Sequence, residues 1–219
     1  MFLQIVLLLT IGDYAVNGQF DMSSCKEFQT KTKTCYTDNN LSDGNIRSMT
    51  QIQELFLEDT TTTCGSSKDN LKNAVGCSID VLRGCLSDNE KKLVASSSNY
   101  KEAFDILCSD DGTTDRSCAG QQVQTCVNSK LISAGLNPTG PFPNNTYVVK
   151  KDHMCKQAEY YLTCVSNKTV MSGCGPASIE KNRQIVTKLA PEACGAMSVI
   201  FTSLLLAASL FVTVCNIVL

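Results

Sequence analysis

Thirteen cysteines are the residues of this 219-residue chain whose number and spacing could do chemistry. A cysteine thiolate can bind zinc, attack an electrophile or pair as a disulfide, and spacing and compartment decide among these uses. Zinc sites gather their ligands in close pairs of the Cys-x2-Cys kind, and no such pair occurs. Cys215 lies in an apolar tail, which leaves twelve: Cys25, Cys35, Cys64, Cys77, Cys85, Cys108, Cys118, Cys126, Cys155, Cys164, Cys174 and Cys194. An even set in a secreted context reads as disulfides, so six bridges and no metal site are expected.

Other reactive groups are sparse. His153 is the only histidine, the usual acid or base near neutral pH, but it follows Lys150-Lys151-Asp152 and reads as a solvated surface residue. Ser98-x-x-Lys101 and Ser178-x-x-Lys181 match the Ser-x-x-Lys pattern without its companion motifs, and no Gly-x-Ser-x-Gly elbow is present. No metalloprotease, phosphate-loop, dinucleotide or calcium-loop motif occurs; Asp110-Asp111-Gly112 reads as a turn. No catalytic residue and no cofactor is therefore expected. Asn40-Leu41-Ser42, Asn144-Asn145-Thr146 and Asn167-Lys168-Thr169 are acceptor sequences for N-linked glycan, and Thr60 to Thr63 read as a solvated or O-glycosylated run.

The ends say where such a chain would work. Met1 to Gly18 carries an apolar run that turns polar at Asp13 and ends in Val16-Asn17-Gly18, the small-residue pattern of signal-peptide cleavage before Gln19. It lacks the usual basic residue ahead of the run. Val199 to Leu219 is uncharged and long enough to cross a bilayer, which takes a helix of about 20 residues. No basic stop follows it, so the tail reads as a signal for a glycosylphosphatidylinositol anchor, with a membrane span as the alternative. A bridge through Cys194 would leave Gly195, Ala196 and Ser198 as attachment candidates. All 19 basic residues and all the acidic ones but Asp13 lie between these ends, giving a mature net charge of −1. That balance offers nothing for nucleic acid to bind.

The gaps between cysteines carry a hidden repeat. From Cys25 they run 9, 28, 12, 7 and 22 residues, and from Cys118 they run 7, 28, 8, 9 and 19. Two copies of one six-cysteine unit, 19–110 and 111–195, are therefore expected between a signal at 1–18 and a tail at 196–219. Six cysteines allow 15 connectivities, and spacing does not choose among them. Helix geometry excludes Cys77 with Cys85, about 12 Å apart along one axis at 1.5 Å per residue, and argues against Cys25 with Cys35.

The elements that position these cysteines are helical. Leu71, Ala74, Val75, Ser78, Val81, Leu82 and Cys85 follow the i, i+3, i+4, i+7 pattern of one helix face. Cys155, Ala158, Tyr161, Leu162 and Val165 do the same in the second copy, and Cys25, Phe28, Thr32 and Cys35 open the first. Ser87-x-x-Glu90 is a capping box for a helix that carries Tyr100, Ala103, Phe104 and Leu107 on one side. Pro176 introduces a helix bearing Ile179, Ile185, Val186 and Leu189, and Pro191 stops it. Asn45 to Asp59 reads as a further helix, whereas Pro138, Pro141 and Pro143 bar one at the matching place in the second copy. The predicted fold is all-α: two small disulfide-stapled bundles in tandem.

A signal, paired six-cysteine helical units and a lipid-exchanged tail resemble the glycosylphosphatidylinositol-anchored co-receptors of the glial-neurotrophic-factor receptor family, and also the cysteine-rich secreted proteins of invertebrates. The adjacent-cysteine patterns of the receptor family are absent, so no binding residue carries over. Neither resemblance supplies a mechanism; the stapled scaffold, the membrane-attached tail and the absence of catalytic motifs lead to the expectation of a cell-surface recognition or structural module that binds a protein or glycan through its exposed helix faces and the Pro138 to Asn145 loop. A hydrolase using His153 in a non-standard site and a secreted inhibitor or ligand are the competing classes.

Overall fold

The computed structural model describes residues 25, 27–41, 64–109, 120–137 and 146–195. Both chain ends, the expected Asn45–Asp59 helix, Thr60 to Thr63, Asp110-Asp111-Gly112 and the Pro138 to Asn145 segment lie outside them. Among the described residues every regular element is helical: α1 Phe28–Thr37, α2 Lys68–Cys85, α3 Asp88–Lys91, α4 Ser97–Leu107, α5 Gly120–Ser133, α6 Tyr147–Val165, α7 Pro176–Leu189, and a 3-10 turn at Glu192–Cys194.

The first unit packs α1 and α4 against α2, the longest helix of its half. The predicted stripe on α2 is the buried one, with Leu71, Ala74, Val75, Ser78 and Leu82 joined by Gly76 and Ile79. Helix α1 ends in a left-handed residue, Asn40 at φ 57°. Leu41 N–H donates to Tyr36 O at 3.0 Å and Asn40 N–H to Thr37 O at 3.0 Å, while the Leu41 side chain is buried. This is the Schellman arrangement, in which Asn serves where Gly is commonest.

Helix α5 ends the same way. Gly135 at φ 71° stands where Asn40 stands, Leu136 N–H donates to Leu131 O at 2.9 Å, and Gly135 N–H donates to Ile132 O at 2.9 Å. Helices α1 and α5 thus end in the same kind of cap, but not at the same distance from their cysteines: Asn40 lies five residues after Cys35 and Gly135 nine after Cys126.

The capping box is present, but it does not open the long helix predicted from it. Ser87 Oγ accepts from Glu90 N–H at 3.4 Å and closes only the single turn α3. A second cap, Ser96 Oγ accepting from Asn99 N–H at 3.2 Å, then starts α4 in a new direction. Between the caps Leu93, Val94 and Ala95 turn inward and are buried. Two serines competing for adjacent helix starts split one element into two, because each satisfies donors that a continuing helix would satisfy itself.

In the second unit α6 packs against α5 and α7. Pro176 occupies the first turn of α7, and Ala190 before Pro191 is extended, so both proline signals hold. One apolar core, Val123, Val127, Leu131, Tyr161, Leu162 and their neighbours, belongs wholly to this unit. The other core contains the first unit's side chains and also Met154, Ile185 and Leu189 from the second. The two halves are therefore packed on each other, with α4 lying against α7.

Candidate functional site

Cysteines place the staples. Cys25 pairs with Cys85, Cys35 with Cys77 and Cys64 with Cys108 in the first unit. Numbered along the unit, this is first with fifth, second with fourth and third with sixth. In the second unit Cys126 pairs with Cys164 and Cys155 with Cys194, again second with fourth and third with sixth. Cys174, the fifth, is also disulfide-bonded. Equivalence assigns it to the first cysteine of its unit, Cys118, which lies outside the described residues. Peptide mapping of the unreduced chain should yield a Cys118–Cys174 cross-linked pair; a Cys118 peptide with a free thiol, or one joined to Cys215, contradicts the equivalence.

Both geometric exclusions hold, since Cys77 and Cys85 share α2 and each bridges to the segment of α1. The described bridges of the two segments share the second–fourth and third–sixth connectivity.

Where the halves meet, charge gathers. Lys150 on α6 reaches Glu90 on α3, Nζ to Oε1 at 2.7 Å, with side-chain exposures of only 3% and 15%. The Ser87 hydroxyl holds the other carboxylate oxygen of Glu90 at 2.8 Å. Burial works against the charged Glu90, but the Lys150 ammonium and the Ser87 bonds more than offset it, so its carboxyl sits below its ordinary pKa. Arg83 grips both oxygens of Glu192, at 3.1 and 3.2 Å, and donates to Val94 O. Lys188 pairs with Glu102, Lys181 donates to Ser109 O at 2.8 Å, and Ala193 N–H donates to Lys92 O at 2.7 Å.

Two expectations about α6 need correction. His153 was expected on a solvated face, and it is 5% exposed; Lys150, in the same supposedly polar stretch, is 2% exposed. The helix phase explains both. Lys150, His153, Met154, Gln157, Ala158, Tyr161, Leu162 and Val165 form one continuous buried stripe, whose first turns face the first unit instead of water. Burial pushes the His153 pKa down, Lys156 adds to this, and Asp152 opposes it. The His153 imidazole is thus part of the packed stripe of α6.

The Ser-x-x-Lys matches do not form dyads. Ser98 Oγ lies 2.9 Å from Ser96 Oγ. Ser178 is buried with its hydroxyl unpaired, while Lys181 reaches Ser109 O. Among the described residues no cluster of three or more metal-ligating side chains occurs, and no helix is long and apolar enough to cross a membrane. The apolar tail lies outside them.

Of the glycan acceptors, Asn40 and Asn167 are exposed, and Asn144 lies outside the described residues. Asn167 forms an Asx turn across its own acceptor sequence, Oδ1 accepting from Thr169 N–H at 2.9 Å and Val170 N–H at 3.3 Å. Among the attachment candidates Gly195 is exposed at φ 70°, directly after the Cys155–Cys194 bridge; Ala196 and Ser198 lie outside the described residues. That bridge, with Arg83–Glu192 and the Ala193–Lys92 bond, fixes the chain to the body up to Cys194.

The chain is thus an all-α, disulfide-stabilised protein whose bridge density is typical of extracellular proteins. Comparison with known proteins finds no family model, no curated protein and no solved structure that matches it.

Proposed function

We propose that this protein is a non-catalytic recognition or structural module of the cell surface, held there by a glycosylphosphatidylinositol anchor and binding a protein or glycan. The observation that carries the reading is the pairing of Cys194. The last bridge among the described residues closes at Cys194, next to the small residues Gly195, Ala196 and Ser198 and ahead of an uncharged apolar run. A rigid body joined to its attachment point by so few residues suits display at a membrane.

Its ligand surface is proposed to lie on exposed helix faces and the Pro138 to Asn145 segment, where the two copies differ most in sequence. The adjoining turn of α6 exposes Val148 at 72%, one of the two large apolar side chains exposed among the described residues.

Phosphatidylinositol-specific phospholipase should release the protein from intact expressing cells. Retention on the membrane after complete digestion points to a spanning tail, and appearance in the medium without digestion points to a secreted ligand. Either result removes the anchor from the proposal. Substitution of 138–145 with a Gly/Ser stretch should abolish ligand capture by the anchored protein while its bridges stay intact.

A further inference from the structure

We infer that the two units are joined as the subunits of a two-fold dimer are joined, through the same face of each, and that this noncovalent seam is a heterotypic interface keyed by charge at its axis. The third main helix of each unit, α4 in the first and α7 in the second, packs on its counterpart. Glu102 precedes Cys108 by as many residues as Lys188 precedes Cys194, and these two equivalent positions pair with each other. In a two-fold contact a residue meets its own equivalent only at the axis.

The flanking bonds run in opposite senses from that point. Lys181 reaches Ser109, just past the end of α4, and Ala193, just past the end of α7, reaches Lys92, just ahead of α4. The end of each third helix therefore lies near the start of the other, which makes the pair antiparallel.

Identical units joined this way would place like charges together on the axis. Here the copies carry opposite signs, so a first unit fits a second unit better than another first unit. That is specificity by repulsion against the wrong partner. Each described bridge stays within its own unit, so among the described residues packing, ion pairs and hydrogen bonds hold the seam.

The test uses the full chain with a protease site inserted within residues 110–119. After cleavage, unreduced denaturing electrophoresis should show two pieces, while gel filtration under native conditions should show one particle of unchanged size. Separation under native conditions, or pieces that stay covalently linked when unreduced and denatured, overturns the inference. In the cleaved protein E102K should weaken the association of the halves about fivefold, the scale of a half-exposed ion pair, and E102K with K188E should restore it. The double variant guards against a folding defect of the single one. If it binds as weakly as E102K alone, the two positions do not meet and the two-fold reading fails.

Discussion

Replacing both Cys35 and Cys77 by alanine should destabilise the unreduced protein more than replacing both Cys25 and Cys85, although the second pair closes the longer loop. The pairs span 42 and 60 residues. Restriction of the unfolded chain is worth about 4 kcal/mol for either, and the longer loop gains only about 0.3 kcal/mol over the shorter. Burial reverses the order. Cys35 is 2% exposed beside the buried Tyr36 and its partner Cys77 is partly exposed, whereas neither Cys25 nor Cys85 is buried. Truncating the inner bridge therefore leaves a cavity that the outer one does not, at a cost of about 1 kcal/mol for each methylene-sized group lost. Urea unfolding of the two double variants without reductant should place the Cys35/Cys77 midpoint lower. An equal or inverted order would show that loop length outweighs packing here. Against a total stability of about 5 to 15 kcal/mol, either loss is a large fraction of the whole.

How much of this was legible in the sequence depends on where each signal originates. Helices α2, α6 and α7 announce themselves because their buried faces carry apolar residues at helical spacing, and α7 is bounded by prolines as well. The division into α3 and α4 was hidden because Ser96 looks no different from the serines around it. Only the tertiary path, which buries Leu93, Val94 and Ala95, decides that it caps. Connectivity was hidden as well, since spacing alone leaves 15 arrangements, but the match of gaps between copies was a real register. Once one unit's pairing is known, that register carries to the other.

His153 and Lys150 are buried where their polarity predicts a solvated face. Their phase continues the stripe of Ala158, Tyr161 and Leu162 backwards along α6, and that phase was readable. Residue type argued the other way and won. Polar residues occupy this stretch of the stripe because it faces not its own core but the other unit, which supplies Glu90 as a partner and Leu86 and Leu93 among the buried surroundings of that core. A polar residue in phase with an apolar stripe is better taken as a sign of a second packing partner than as the end of the buried face. The same logic accounts for the shared core: Met154, Ile185 and Leu189 belong to helices predicted to serve the second unit, and nothing local distinguishes an apolar side chain that packs within its unit from one that packs across.

Lys150→Met should cost about 3 kcal/mol, near the lower end of what breaking one side of a buried ion pair costs, because Glu90 keeps its Ser87 bond and some contact with water. Lys150→Met combined with Glu90→Gln should recover most of that loss, since the penalty comes from the stranded carboxylate more than from the missing attraction. The pH dependence separates this account from simple loss of packing. In the native chain the Glu90 carboxyl is held below its ordinary value, so its contribution to stability is complete above the unfolded pKa, near 4.5, and disappears as pH falls through the lower folded value. In Lys150→Met the buried carboxylate loses its cation, and its pKa rises instead. Acidification then protonates Glu90 in the variant first and relieves the penalty, so the stability gap between variant and native chain should narrow between pH 7 and pH 4. Urea midpoints for both proteins across that range decide the matter: a gap that stays constant means that the Lys150 methylenes, packed along the seam, matter and its charge does not.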